Sequence, residues 1–337
     1  MKMNRFITAS ILAIALASPA YGGTFMFAES QEDPDIITHP IGYNGTGETL
    51  EVSVCIATDS ESQSELEIPV QNAAATWTTL QPTNSNVTRS DSELGPNQFD
   101  VESVLLHELG HCIGLAHPNL GKKSEPNLTN TEQEFAMALN GSNGAYDLDA
   151  GGDGIPGSRD DVRGDDVNLN WFRIGKNDPF LYESEIDLDT YSNDKNDLPS
   201  GHTWIEIASF DVSQDLGQGS GEGVMNQGTF PQETQRKIHN EDATTLRIGM
   251  AGLDEDQGTG DDYGIQLTYG GIADDCDITI RMKDDGFGLC EIGGDPTNSP
   301  HISITSGTIT LGSTSAVNWY FNSTLSGLIF RDRFEQQ

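Results

Sequence analysis

The stretch "VLLHELGHCIGLAHP", residues 104–118, gathers three of the chain's seven histidines and a glutamate into a short span. On an α-helix, residues four apart share a face, so the imidazoles of His107 and His111 converge on one point. Glu108 reaches the same region from just off that line. Neutral imidazoles are good ligands for a borderline ion such as Zn²⁺, and a catalytic zinc takes three protein ligands and keeps a further position for water. The helix supplies two. His117 would point away if the helix continued, but Gly114 allows a positive φ, so the helix can stop there and the chain can swing back. Pro118 suits an extended exit rather than more helix. Bound zinc would acidify a water, and Glu108 is the residue in this stretch able to take its proton and pass it to a leaving amine.

Outward from this stretch, Asp100 is placed to cap the helix, and Val101, Val104, Leu105, Leu109, Cys112 and Ile113 give it one apolar face. Upstream, "TLEVSVCIA" (49–57) alternates and is β-branched, which predicts a strand. Val70, Ala73, Ala74, Trp77 and Leu80 fall at helical spacing, which predicts a helix over 68–80. Residues 23–48 are polar and irregular and form an N-terminal lead. Downstream, helices are expected over 127–140 and 233–253. From Tyr263 onward, "YGIQLTYGG", "CDITIRM", "HISITSGTITL" and "AVNWYF" are short alternating runs between glycine-rich turns. The expected fold class is α+β. A catalytic domain over 49–255 would be followed by a small C-terminal all-β region over 256–337.

The beginning of the 337-residue chain has the pattern of a secretory signal. Lys2 and Arg5 precede a short apolar run and then small residues, so 1–22 is expected to be removed on export. No later segment is apolar enough to span a membrane. With 17 basic against 53 acidic residues the net charge is -36, which argues against nucleic acid or an anionic membrane as partner. The four cysteines, Cys55, Cys112, Cys276 and Cys290, are an even set in an exported chain and suggest disulfides. Three connectivities are open. Cys276 and Cys290 bracket a short glycine-containing segment, which favours a hairpin staple between them and leaves Cys55 and Cys112 to pair.

The segment 144–172, "GAYDLDAGGDGIPGSRDDVRGDDVNLNWF", is an acidic insertion. Calcium takes six to eight oxygens, and Asp147, Asp149 and Asp153 with glycines between them are candidate Ca²⁺ ligands. The spacing departs from the EF-hand pattern, because Gly151 stands where an oxygen ligand is needed.

"HELGHCIGLAH" at 107–117 resembles the signature of the metzincin zinc metalloproteases. The resemblance implies a twisted sheet with helices, Zn²⁺ held by His107, His111 and His117, and Glu108 as general base. It also implies a methionine in a tight turn beneath the metal, for which Met225 in "GEGVMNQGTF" (221–230) fits. Gln227 stands where some branches carry a zinc-reaching tyrosine, so the chain looks most similar to matrixins or pappalysin-like enzymes. The interval from His117 to Met225 exceeds that of compact matrixins, which implies an insertion. The expected activity is that of a secreted endopeptidase acting on protein or peptide substrates. The competing expectation is a non-enzymatic secreted protein that binds calcium or zinc for adhesion or interaction.

Overall fold

The structure is a computed structural model that describes residues 25–27, 36–117, 220–226, 228–284 and 286–326, with residues 171–172, 191–192 and 210. Its strands and helices run in the order β1 (Ile37–His39), β2 (Thr49–Ile56), α1 (Gln63–Thr79), β3 (Thr88–Arg89), β4 (Phe99–Asp100), α2 (Val101–Cys112), β5 (Trp171–Phe172), β6 (Tyr191–Ser192), β7 (Glu233–Thr234), α3 (Asn240–Gly249), β8 (Gly264–Ile272), β9 (Ile278–Asp284), β10 (Gly288–Asn298), β11 (His301–Gly312) and β12 (Trp319–Tyr320). The secondary structure is mixed, with one six-stranded sheet and three helices among the described residues, compatible with an α+β class.

In the sheet, β8, β2, β9 and β11 lie side by side and parallel. β10 runs antiparallel along β11 from residue 301 to 311, so it takes one edge of that strand. β1 and β9 share the other edge, β1 beside residues 301–303 and β9 beside 307–312. Among the described residues β10 is therefore an edge strand. Parallel strands need long crossovers, and the chain supplies them: β2 leaves through α1 and meets its neighbours β8 and β9 only some two hundred residues later.

This pairing corrects the expected domain division. A boundary at 255/256 would cut the sheet, because β2 from the early chain lies between β8 and β9 from the late chain. The region after 256 is rich in strands as expected, but those strands are the body of the same sheet. β1 also lies within the supposed irregular lead, and β10 falls in "GLCEIGGDPTN", whose glycines and proline hid it.

The helices pack on the sheet, α1 against β2 and β8, α2 against β10 and β11, and they touch each other. Leu66, Val70 and Trp77 of α1, Leu105 and Leu109 of α2, and Val54, Ile280 and Ile309 of the sheet are all buried. The indole N–H of Trp77 donates to the Leu106 carbonyl at 2.8 Å, which ties α1 to α2. α1 begins five residues before the expected start and carries Pro69 inside it. Leu66 extends the stripe of Val70, Ala73 and Trp77 by one turn, and its complete burial outweighs the N–H that proline lacks. α3 is shorter than expected because residues 233–234 pair with β3 instead of joining the helix.

The disulfides are Cys55–Cys276 and Cys112–Cys290, with Cα atoms 5.7 and 6.0 Å apart. This overturns the expected Cys276–Cys290 staple and the Cys55–Cys112 pair. The staple required a hairpin, but β11 lies between β9 and β10. Cys55 stands opposite Thr279 in the parallel β2–β9 pair, so Cys276 just ahead of β9 is its neighbour. Cys290, on the edge strand that packs against α2, meets Cys112.

Glu102 in the first turn of α2 is buried, and one of its oxygens accepts from Asn72 Nδ2 at 2.9 Å and Asn322 Nδ2 at 2.7 Å. Burial pushes its pKa up to about 7, against those two amide donors. The folded protein therefore keeps this proton in a range where the unfolded chain has lost it. The stability it contributes is complete below the ordinary value of 4.5 and is lost as pH rises through about 7. Glu102→Gln keeps an acceptor for the two asparagines and removes the titration. Its urea midpoint should fall less between pH 5 and pH 8 than that of the native chain; an unchanged slope would exclude Glu102 as a source.

Candidate metal centre and cleft

α2 is built to hold its C-terminal half steady. Asp100 caps it as expected, one carboxyl oxygen accepting from the Ser103 N–H at 3.1 Å and from the Ser103 hydroxyl at 2.6 Å. Arg236 grips the same carboxylate with two bonds, Nε to Oδ2 at 2.9 Å and Nη2 to Oδ1 at 2.8 Å. The helix ends at Cys112, and Gly114 follows with φ of 112°. The Gly114 N–H donates to the His111 carbonyl, and the Leu115 N–H reaches back to the Gly110 carbonyl at 2.9 Å. A Cβ at Gly114 would also stand 2.6 Å from the Thr38 carbonyl oxygen, so the position excludes a side chain twice over.

The turn returns the chain to the helix, and the three expected histidines meet. His107 Nε2 lies 3.1 Å from His111 Nε2 and 3.0 Å from His117 Nε2, and His111 and His117 are 3.0 Å apart at the same atoms. His107 Nδ1 is 2.6 Å from the Val224 carbonyl and His111 Nδ1 is 2.8 Å from the Leu115 carbonyl. A carbonyl accepts only, so those two Nδ1 atoms carry the protons and both Nε2 atoms present lone pairs. Burial, with the neighbouring histidines adding to it at His111 and His117, lowers all three pKa values, that of His111 to about 3. Neutral imidazoles with facing lone pairs repel one another, and a cation among them removes that repulsion. The triad could hold a metal ion.

Glu108 is 5 % exposed and lies on the wall of a cleft of about 470 Å³ that includes the three histidines. Burial raises its pKa to about 7, opposed by the Cys290 backbone N–H directed at the carboxyl. Phe287, Gly288, Leu289 and Cys290 form the facing wall, and Val224, Asn226 and Thr229 form another side.

Met225 is buried in a turn closed by the Asn226 N–H on the Gly223 carbonyl at 3.0 Å. Its sulfur lies where a Cβ on Gly110 would be, and the Trp77 ring stands 3.0 Å from that point. Only a glycine at 110 lets the turn seat directly beneath α2, one residue before His111. Asp242 holds the turn: its carboxylate accepts from the N–H groups of Val224 and Met225 at 2.8 and 3.2 Å, and from that of His239 at 3.0 Å. The Val224 carbonyl is then fixed for His107.

The sequence does not single out Asp242 or Gly288, and it marks Cys290 only as a disulfide cysteine expected to pair with Cys276. Asp242 acts on backbone N–H groups of the turn whose Val224 carbonyl meets His107 from 117 residues away, Gly288 acts through having no side chain, and Cys290 reaches α2 through a disulfide spanning 178 residues. The histidines and Glu108 were visible because they share one helix and its turn. The candidate calcium ligands Asp147, Asp149 and Asp153, the insertion 144–172 apart from Trp171 and Phe172, the signal 1–22 and the expected helix 127–140 lie outside the described residues. Among the described residues no helix is long and apolar enough to cross a membrane. No family model matches the chain, and neither a curated protein nor a solved structure is matched by it.

Proposed function

We propose that the protein is an exported zinc endopeptidase that hydrolyses peptide bonds with Glu108 as its general base. The observation that carries this reading is the Nε2 triangle of His107, His111 and His117, with a buried carboxyl beside it and an open cleft in front. Nitrogens bonded at about 2.0–2.1 Å to a tetrahedral zinc stand roughly 3.3–3.4 Å apart. The triangle at 3.0–3.1 Å is within a few tenths of an ångström of that figure. An all-imidazole donor set suits zinc better than calcium or magnesium, which take oxygen. Zinc held there would supply a lowered pKa for a water and polarisation of a substrate carbonyl.

Glu108 takes the proton from the attacking water and later delivers it to the leaving nitrogen. The Val224 and Leu115 carbonyls hold two of the three imidazoles in the tautomer that offers Nε2. Phe287 and Leu289, 37 % and 55 % exposed, give a substrate an apolar wall to lie against. All four cysteines are paired, which is the habit of proteins from oxidising compartments and supports export. The competing reading, a non-enzymatic binding protein with a structural metal, gives no use to a carboxyl beside the metal. Cys112 cannot serve as a fourth ligand that closes the site, because it is bonded to Cys290.

The test is digestion of casein by the purified full chain. Hydrolysis should stop when a chelator strips the metal and return on adding Zn²⁺. Digestion that continues without metal, or zinc-loaded protein that leaves casein intact, would overturn the reading.

A further inference from the structure

We propose that the Cys112–Cys290 disulfide positions Glu108 by clamping the edge strand β10 onto the face of α2 that carries the base. The proposal rests on the peptidase reading and adds Cys290 and Gly288 to it as positioning residues.

Glu108 and Cys112 are four apart on α2 and so lie on one face, a turn from each other. β10 touches both. At one point Gly288 and Cys290 border the same cleft as the Glu108 carboxyl. At the other the Cys290 side chain is bonded to Cys112, the residue next to the ligand His111. The strand comes this close because residue 288 is glycine: a Cβ there would stand 2.5 Å from Glu108 Oε1 and 2.9 Å from Val104 Cγ1. Among the described residues β10 pairs only with β11, and its register slips at Gly293/Gly294. An edge strand held on one side has freedom to move away from the helix. The disulfide removes that freedom where the strand meets the base. Placing the bond one turn from the carboxyl fixes how closely the strand approaches it, and freely moving acid–base groups lose much of their rate advantage.

The second disulfide supplies the control. Cys55–Cys276 crosslinks β2 to the chain ahead of β9, and neither cysteine lines the cleft. Both pairs close loops of comparable length, 178 and 221 residues apart in sequence, so their removal should destabilise the fold to a similar degree.

The experiment compares the zinc-loaded full chain with Cys112→Ala/Cys290→Ala, Cys55→Ala/Cys276→Ala and Gly288→Ala, reading kcat and KM on a peptide, zinc content and Tm. The Cys112/Cys290 pair variant should keep stoichiometric zinc and lose kcat by about tenfold or more. The Cys55/Cys276 pair variant should lose Tm but keep kcat within about twofold. Gly288→Ala retains both disulfides and should lower kcat more than it raises KM, because the added methyl displaces the carboxyl. Equal kcat losses in the two pair variants would mean stability alone and would overturn the proposal. Native kcat in a folded, zinc-loaded Cys112/Cys290 variant would do the same. If that variant does not fold, an unchanged kcat in Gly288→Ala overturns it. A native chain that binds zinc and hydrolyses nothing fails the peptidase reading itself, and the clamp with it.

Discussion

Glu108→Ala should leave zinc binding intact and reduce peptide hydrolysis by about 10²–10⁴-fold, the usual worth of a positioned acid–base group. The effect should fall on kcat, because on the proposed mechanism the carboxyl acts in the transition state while other residues of the cleft would hold a substrate. Zinc should stay because the three Nε2 atoms and the carbonyls behind two of them do not involve Glu108. Glu108 borders the open cleft, where water can fill the space it vacates. Parallel measurements of zinc content and turnover check this. Retained hydrolysis would remove Glu108 from the mechanism, and lost zinc would make it structural.

His111→Ala should abolish stoichiometric zinc binding and, with it, all metal-dependent stabilisation. In the native chain, zinc at about a thousand times its dissociation constant should raise stability by roughly 4 kcal/mol. His111 would be the central ligand in a structural sense: it sits on the helix, its Nδ1 is tied to the turn that brings His117 back, and its Nε2 touches both partners. Removing it leaves two ligands on segments no longer braced against each other. Thermal scans with and without Zn²⁺ should therefore coincide for the variant and separate for the native protein. A zinc-dependent rise in Tm that survives the substitution would place the ion elsewhere.

The local features of the centre could be read from residues 100–117 alone. A cap, an i,i+4 pair and a glycine stop are short-range events, and Asp100, His107, His111, Gly114 and His117 stand as that reading places them. Met225 was reached through the family resemblance, and it sits in a turn beneath α2. What failed were the long-range pairings. Alternation in "CDITIRM" and "HISITSGTITL" marks strands but does not say which neighbour each will take. The hairpin assumed between Cys276 and Cys290 made β9 and β10 partners, whereas β11 inserts between them. A cysteine pair near in sequence is a reasonable guess only when the strands between are antiparallel and adjacent. β10 itself was hidden because an edge strand that hugs a helix tolerates glycine and proline.

The placement of β2 between two strands from the far end of the chain has a consequence for biogenesis. During synthesis, Thr49–Ile56 emerges early, yet its hydrogen-bonding partners at 264–272 and 278–280 are made more than two hundred residues later. A growing chain cannot close the sheet until then, and α2 gains its disulfide partner only when residue 290 arrives. Such high contact order slows folding. If the protein is the exported hydrolase proposed above, the delay would withhold a finished catalytic centre until nearly all of the described fold has been synthesised.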